Sequence, residues 1–258
     1  MSRVVRLAAC QMPEIRMDPQ QALSLIIEYG DKATALGADL VCFPECYLQG
    51  YLANTEAERA TARKMAIDLS SPEFESILKK LSKLDPILVF GLIEQSEGLF
   101  HNTAVVVHQG KLLGRYRKNH LHGTENDLFT AGTEVPVFVV DGFRFGIMIC
   151  YDSQFPALAA GLASRGAHLF LAPSNNLMPY EKAEASRPLH AKRGDRCRET
   201  GIPKLSADIT GERDGRICYG PTALFDTSGE IVAQVPLLQP GLIVERIEID
   251  DCTKAGSN

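Results

Sequence analysis

The segment Gly37-Ala-Asp-Leu-Val-Cys-Phe-Pro-Glu45 is echoed later in the chain by Gly166-Ala-His-Leu-Phe-Leu-Ala-Pro-Ser174. Each copy reads as a helix end, a buried strand and a proline. The glycine is free to take the left-handed conformation that stops the preceding helix, and the proline ends the strand where a loop begins. A chain built on two such units folds as a doubled α/β structure. Its surroundings agree, because strand-like runs alternate with helical ones, unlike the pattern of an all-β or all-α protein. Residues 4–12 read as a strand. Asp18 is placed to cap a helix with Pro19 in its first turn, and Ala22, Leu25, Ile26, Tyr29, Ala33 and Leu36 then recur at helical spacing. Helices are expected around 55–67 and 73–84, and strands at 87–94, 103–107 and 112–117. The last two strands join through a turn at Gln109-Gly110-Lys111.

Length and composition bound the function. With 258 residues and 45% hydrophobic content, the chain supports a sizeable core, and a single domain over residues 1–258 is expected. No apolar run approaches the ~20 residues of a membrane span, and Met-Ser-Arg-Val-Val-Arg passes directly into a strand rather than a signal peptide. Seven cysteines, an odd number without a framework pattern, point to reduced thiols and a cytoplasmic protein. A net charge of -5 argues against a nucleic-acid partner. Arg187, Lys192, Arg193, Arg196 and Arg198 are interleaved with Glu184, Asp195 and Glu199, which reads as a solvated or interface helix face.

Three strand ends carry chemistry. Cys150 ends the apolar run Phe145-Gly-Ile-Met-Ile-Cys150, Glu45 ends Leu40-Val-Cys-Phe-Pro-Glu45, and Lys118 ends Leu112-Leu-Gly-Arg-Tyr-Arg-Lys118. A thiol with a pKa near ~8.5 is mostly protonated at neutral pH, so Cys150 needs a base such as Glu45 or a nearby cation. Glu45 would return the proton to a leaving amine. Lys118 and the backbone N-H of Tyr151 would stabilise an oxyanion. Taken singly, a buried cysteine is usually an inert small hydrophobe, and Lys118 or Glu45 alone would be ordinary surface or loop residues. A cysteine-histidine dyad drawing on His120, His122 or His190 is the chemical rival, but none of these histidines sits in a cysteine-protease motif. Cys42 and Cys46 lack the second pair that a structural zinc site requires, so no metal is expected.

In order along the chain, Phe43-Pro-Glu45 with Gly50-Tyr51, Arg117-Lys118-Asn-His-Leu121 and Cys150-Tyr-Asp-Ser-Gln-Phe-Pro156 resemble the nitrilase, or carbon-nitrogen hydrolase, family over nearly the whole chain. The resemblance implies a four-layer αββα sandwich with two facing mixed sheets and a Glu-Lys-Cys site of Glu45, Lys118 and Cys150. It also implies a second glutamate, carried onto Glu125 by its spacing to Phe129 and Gly132, that positions the lysine and the substrate amide. No cofactor is implied. The loop from Lys118 to Val137 and the segment Pro173-Ser-Asn-Asn-Leu-Met-Pro-Tyr180 are expected to wall the pocket, with Asn175, Asn176 and Met178 as contacts or as turn formers. Tyr151 is a pocket candidate, and Tyr51 either lines the pocket or packs beneath Glu45. Gln154 stands where many amidase-branch members have an arginine able to bind a substrate carboxylate, which favours a small neutral or cationic primary amide. Nitrile hydrolysis, N-acyl transfer and a non-catalytic binding module are the alternatives. The family resemblance further implies a homodimer, paired through helices around 156–165 and 183–200, with the polar tail 254–258 either free or folded onto the partner subunit.

Overall fold

The computed structural model describes residues 2–187 and 193–250. His190, Lys192, Cys252 and the tail 254–258 lie outside the described residues. In chain order the strands are β1 (Ser2–Pro13), β2 (Leu40–Cys42), β3 (Ile87–Ser96), β4 (Leu99–His108), β5 (Lys111–Arg117), β6 (Val137–Val140), β7 (Phe143–Ile147), β8 (Leu169–Pro173), β9 (Met178–Pro179), β10 (Lys204–Ala207), β11 (Ile209–Arg213), β12 (Arg216–Cys218), β13 (Ala223–Phe225), β14 (Ile231–Gln234) and β15 (Gly241–Asp250). The helices are α1 (Pro19–Ala35), α2 (Glu56–Met65), α3 (Pro72–Leu81), α4 (Pro156–Ser164), α5 (Tyr180–Ser186) and α6 (Asp195–Thr200).

Period-two alternation sorts the side chains into layers. Leu7 and Ala9 of β1, with Leu40 and Cys42 of β2, meet Phe145, Ile147, Leu169, Leu171 and Leu205 of the second sheet in one buried cluster. The intervening residues Ala8, Cys10, Val41 and Phe43 point the other way, against Ile26 and Tyr29 of α1 and Phe74 and Ile77 of α3. On the far side of the second sheet, Phe170 packs with Leu158 and Leu162 of α4. The order of layers is therefore helix, sheet, sheet, helix. One sheet runs β5-β4-β3-β2-β1-β11-β12-β9, with β15 paired along β1, and the other runs β14-β13-β10-β8-β7-β6. Both are mixed. The repeated segments supply an inner strand to each sheet: β2 lies parallel between β1 and β3, and β8 lies parallel between β7 and β10. Gly37 and Gly166, which precede them, have φ of 73° and 77°.

Local signals behave as their chemistry requires. Asp18 accepts a hydrogen bond from the Gln21 N-H at 2.9 Å and Pro19 opens α1. Thr55 caps α2 and Ser71 caps α3. Gln109 and Gly110 both take positive φ in the β4–β5 turn. Leu36 departs from the expected apolar stripe: α1 stops at Ala35, and Leu36, at its C-terminal cap, is 57% exposed. Among the described residues no helix is long and apolar enough to cross a membrane.

One glycine fixes the rim of the first sheet. Gly91 in β3 donates its N-H to the Pro44 carbonyl at 3.1 Å, and its own carbonyl accepts from the Leu48 N-H at 3.1 Å. A Cβ there would lie 2.3 Å from the Cys46 nitrogen and 2.6 Å from the Pro44 oxygen, both backbone atoms. Gly91→Ala is accordingly expected to lower the unfolding free energy by about 1–3 kcal/mol, since the turn carrying Glu45 must move. Urea denaturation of the two proteins measures it, and equal midpoints would show that the turn yields without cost.

Candidate active site

Glu45 sits in the turn after β2, where its backbone N-H donates to the Ser174 carbonyl at 3.3 Å and the Asn175 N-H donates to its Oε2 at 3.0 Å. The loops that follow the two repeated strands are thereby tied together. Lys118 follows β5 directly, its backbone held to the Asn102 carbonyl at 2.8 Å. Cys150 comes three residues beyond the end of β7, at the start of a short 3-10 turn, with φ of 46°. That left-handed backbone is strained for a residue with a side chain and costs about 1–3 kcal/mol. Asp152 holds the turn in place. Its buried carboxylate accepts from the Ile149 N-H (3.0 Å), the Tyr116 hydroxyl (2.8 Å) and the His120 N-H (2.9 Å), and contacts His120 Nδ1 at 2.8 Å. The His120 ring also stacks on Phe155 at 3.6 Å. His120 thus joins the loop after Lys118 to the turn of Cys150.

At the centre, the Lys118 ammonium donates to Glu45 Oε1 at 2.7 Å and to Glu125 Oε1 at 2.8 Å. All three side chains are almost fully sealed from solvent. Asn102 Nδ2 reaches the same two oxygens at 2.7 and 3.2 Å, and the His122 N-H donates to Glu125 Oε2 at 2.6 Å. Burial, with a further push from the Glu125 charge, raises the Glu45 carboxyl to about 7, although Lys118 and Asn102 pull it down. Burial works against the Lys118 charge, but Glu45, Cys150 and Glu125 outweigh it and hold the ammonium above the usual lysine range. Burial and the Glu45 charge push the Cys150 thiol up. Near neutral pH the cluster therefore combines a fixed cation, a protonated thiol and a carboxyl poised to gain or lose a proton.

Glu45, Lys118 and Cys150 line one cavity of about 320 Å³ together with Tyr51, Tyr151, Gln154, Asn175, Asn176 and Met178. Glu125 lies behind Lys118, outside the lining. Tyr51 lines the cavity and also packs against a cluster containing Cys46 and Phe129. Asn176 is held by Asp208, which accepts from its backbone N-H at 3.1 Å and from its side-chain amide. Cys42 faces the core between the sheets whereas Cys46 joins a different cluster.

Two expectations need correction. The loop after Lys118 is more than a polar wall, because Leu128 and Phe129 are buried and Glu125 is fully enclosed. The basic stretch is not one solvated face. Arg187 and Arg198 are exposed, but Arg193 and Arg196 line the cavity. Next to Arg196, Cys197 packs against Ala223 and Phe225 and ties the six-residue α6 to the sheet. Asn102, Asp152, Lys204 and Asp208 were not singled out from sequence. The polar run His101-Asn102-Thr103 inside an otherwise apolar strand was the available signal for Asn102.

An αββα sandwich with a carboxylate, an ammonium and a thiol gathered at its rim defines a class of enzyme rather than a binding scaffold. Residues 6–256 match the carbon-nitrogen hydrolase family model, so the chain belongs to that family, within the nitrilase superfamily. A nitrilase of Pyrococcus abyssi is 28% identical over 95% of this chain and 90% of its own. A Pseudomonas protegens hydrolase is 33% identical over 69% of this chain, and the match spans 62% of that relative. Among solved structures, a mutant amidase from Nesterenkonia sp. AN1, captured after Michael addition of acrylamide at its active-site cysteine, superposes with a TM-score of 0.79 at 26% identity, covering 93% of this chain and 92% of that one.

The buried triple interaction gives a direct test. Lys118→Met removes the cation while keeping most of the volume, and is expected to cost about 3–5 kcal/mol near neutral or higher pH. Because Lys118 restrains Glu45, its loss drives the Glu45 carboxyl further above the unfolded value of 4.5. A carboxyl raised in the folded state binds more protons there than in the unfolded chain, so the variant recovers stability as pH falls towards about 5. Urea unfolding at both pH values checks this, and a deficit independent of pH would contradict the assignment.

Proposed function

We propose that the protein hydrolyses a small primary amide, R-CO-NH2, to a carboxylic acid and ammonia through a thioester on Cys150. The observation that carries this reading is the Lys118 ammonium bridging Glu45 and Glu125, with Lys118 and Glu45 lining the cavity that Cys150 also lines. As Sγ attacks the carbonyl carbon, the Glu45 carboxylate takes the thiol proton. Lys118 and the backbone N-H of Tyr151 stabilise the oxyanion. Glu45 then gives that proton to the amide nitrogen, the C-N bond breaks, and ammonia leaves behind a thioester. Water next yields a proton to Glu45 and attacks the thioester. Collapse expels the Cys150 sulfur, which regains a proton from Glu45, and the acid departs. Glu125 positions Lys118. These steps use groups of the chain and water, and call for no cofactor.

The relatives support an amide. One Nesterenkonia amidase variant was solved in complex with butyramide, at 25% identity and a TM-score of 0.75, and a Pseudomonas (R)-stereoselective amidase is 32% identical over 57% of this chain and 53% of its own. Nitrile hydrolysis on the same thiol is the second reading, favoured by the nitrilase relative. The family resemblance also supports a homodimer paired through helices around 156–165 and 183–200, and the seven cysteines without a framework pattern support a cytoplasmic protein.

Ammonia release across matched amides and nitriles, for wild type beside Cys150→Ala, tests the proposal. Release from amides that disappears in the variant supports it, whereas release surviving in the variant would place the nucleophile elsewhere. The Glu45 carboxyl, raised to about 7, must be ionised to accept the thiol proton. We therefore expect kcat/KM to climb with pH through about 7 and Glu45→Gln to lower it about 10²–10⁴-fold. A profile flat from pH about 5 to 8 would exclude Glu45 as the base.

A further inference from the structure

The cavity continues past the catalytic cluster to the outer face of the second sheet, where Lys204 of β10, Arg193 and Arg196 line it; Lys182 and Arg216 also line the cavity. Lys204 is only 2% exposed. Its ammonium donates to the Arg193 carbonyl and lies 4.7 Å from the centre of the Phe225 ring. Among the described residues no carboxylate lies within ion-pair distance of it. A buried ammonium without a counter-ion is unfavourable, and burial lowers its pKa to about 8, with Cys197 opposing the change and Arg193 and Arg196 adding to it.

The neighbouring acids are already engaged. Asp208 accepts from Asn176 and the Ile209 N-H and lies 3.7 Å from Arg193; Glu199 pairs with Arg196 at 2.6 Å; Asp195 pairs with Arg198 at 2.6 Å. Arg196 is itself nine-tenths buried, and its Nε and Nη1 have no acceptor among the described residues. Among the described residues Arg216 bonds to the Asn54 side chain and the Leu177 carbonyl. Unmet donors around an uncompensated charge in a cavity mark a place for an anion.

We propose that this end of the cavity binds a carboxylate of the substrate through Lys204, with Arg196 and Arg193 beside it, so that the amide hydrolysed at Cys150 belongs to a carboxylate-bearing class. The proposal rests on the amidase reading and deepens it. It replaces the expectation drawn from Gln154, because the missing arginine at that position is offset by cations reached from another element, and a cationic substrate group would be repelled by them.

Succinamate and glutaramate, each compared with its isosteric neutral diamide, supply the test. Wild type should release ammonia from the carboxylate member with a kcat/KM about tenfold to a hundredfold higher. That ratio should fall about tenfold in Lys204→Met and in Arg196→Gln, two variants that perturb different elements in case one fails to fold. A wild-type ratio near one overturns the proposal. A second readout needs no turnover: succinate and glutarate should slow alkylation of Cys150 by iodoacetamide in wild type, and less so in Lys204→Met. Protection without ammonia release from any amide would keep the anion site and remove the amidase reading. Release from neutral amides with no protection by either dicarboxylate would remove the anion site alone.

Discussion

A single buried ammonium, that of Lys118, makes it possible for two carboxylates to share the sealed rim of this fold. Without it, Glu45 and Glu125 would place like charges in a low-dielectric interior, where neither is stable ionised. With it, each takes a 2.7–2.8 Å hydrogen bond from the same nitrogen. The interaction holds together three pieces of chain distant in sequence: the turn after β2, the end of β5 and the loop carrying Glu125. The chemistry follows from the same arrangement, since it leaves Glu45 with a proton affinity near neutrality while Lys118 stays charged.

The doubled architecture supplies the frame. The two repeated strands sit in different sheets, and the loops after them bond directly, through the Asn175 N-H to Glu45 and the Glu45 N-H to the Ser174 carbonyl. Cys150 enters from the second sheet on a strained backbone that the Asp152 hydrogen bonds keep in place. A site whose acid and nucleophile belong to opposite sheets depends on the packing between the sheets, and Phe145, Leu171 and their partners fill that space with largely apolar side chains.

Much of this was legible in the chain itself. The Gly-to-Pro echo marked the two inner strands because glycine and proline act on the local backbone, whatever the tertiary context. The cap at Asp18 was equally local. Glu45 and Cys150 could be placed because each ends an apolar run, Lys118 because it ends the strand-like Leu112-Leu-Gly-Arg-Tyr-Arg-Lys118, and Glu125 because its spacing matched the family. Asn102 and Asp152 were harder to see, since their importance comes from partners on other strands: Asn102 meets Glu45 across 57 positions and Asp152 meets Tyr116 across 36. Arg193 and Arg196 were hidden for a related reason: their charge pattern resembled a wet helix face, whereas Cys197 beside Arg196 packs against Ala223 and Phe225 of the second sheet.

The central claim is that Glu45 titrates near neutrality because burial beside Glu125 outweighs the Lys118 ammonium. The most direct measurement is a carbon-13 NMR titration of glutamate side-chain carboxyls, with the Glu45 signal identified by its loss in Glu45→Gln. The account predicts a midpoint for Glu45 near 7, well above the ordinary 4.5. A Glu45 carboxyl that stays ionised down to its ordinary range would contradict it, for the group would then be too weak a base for the thiol it faces.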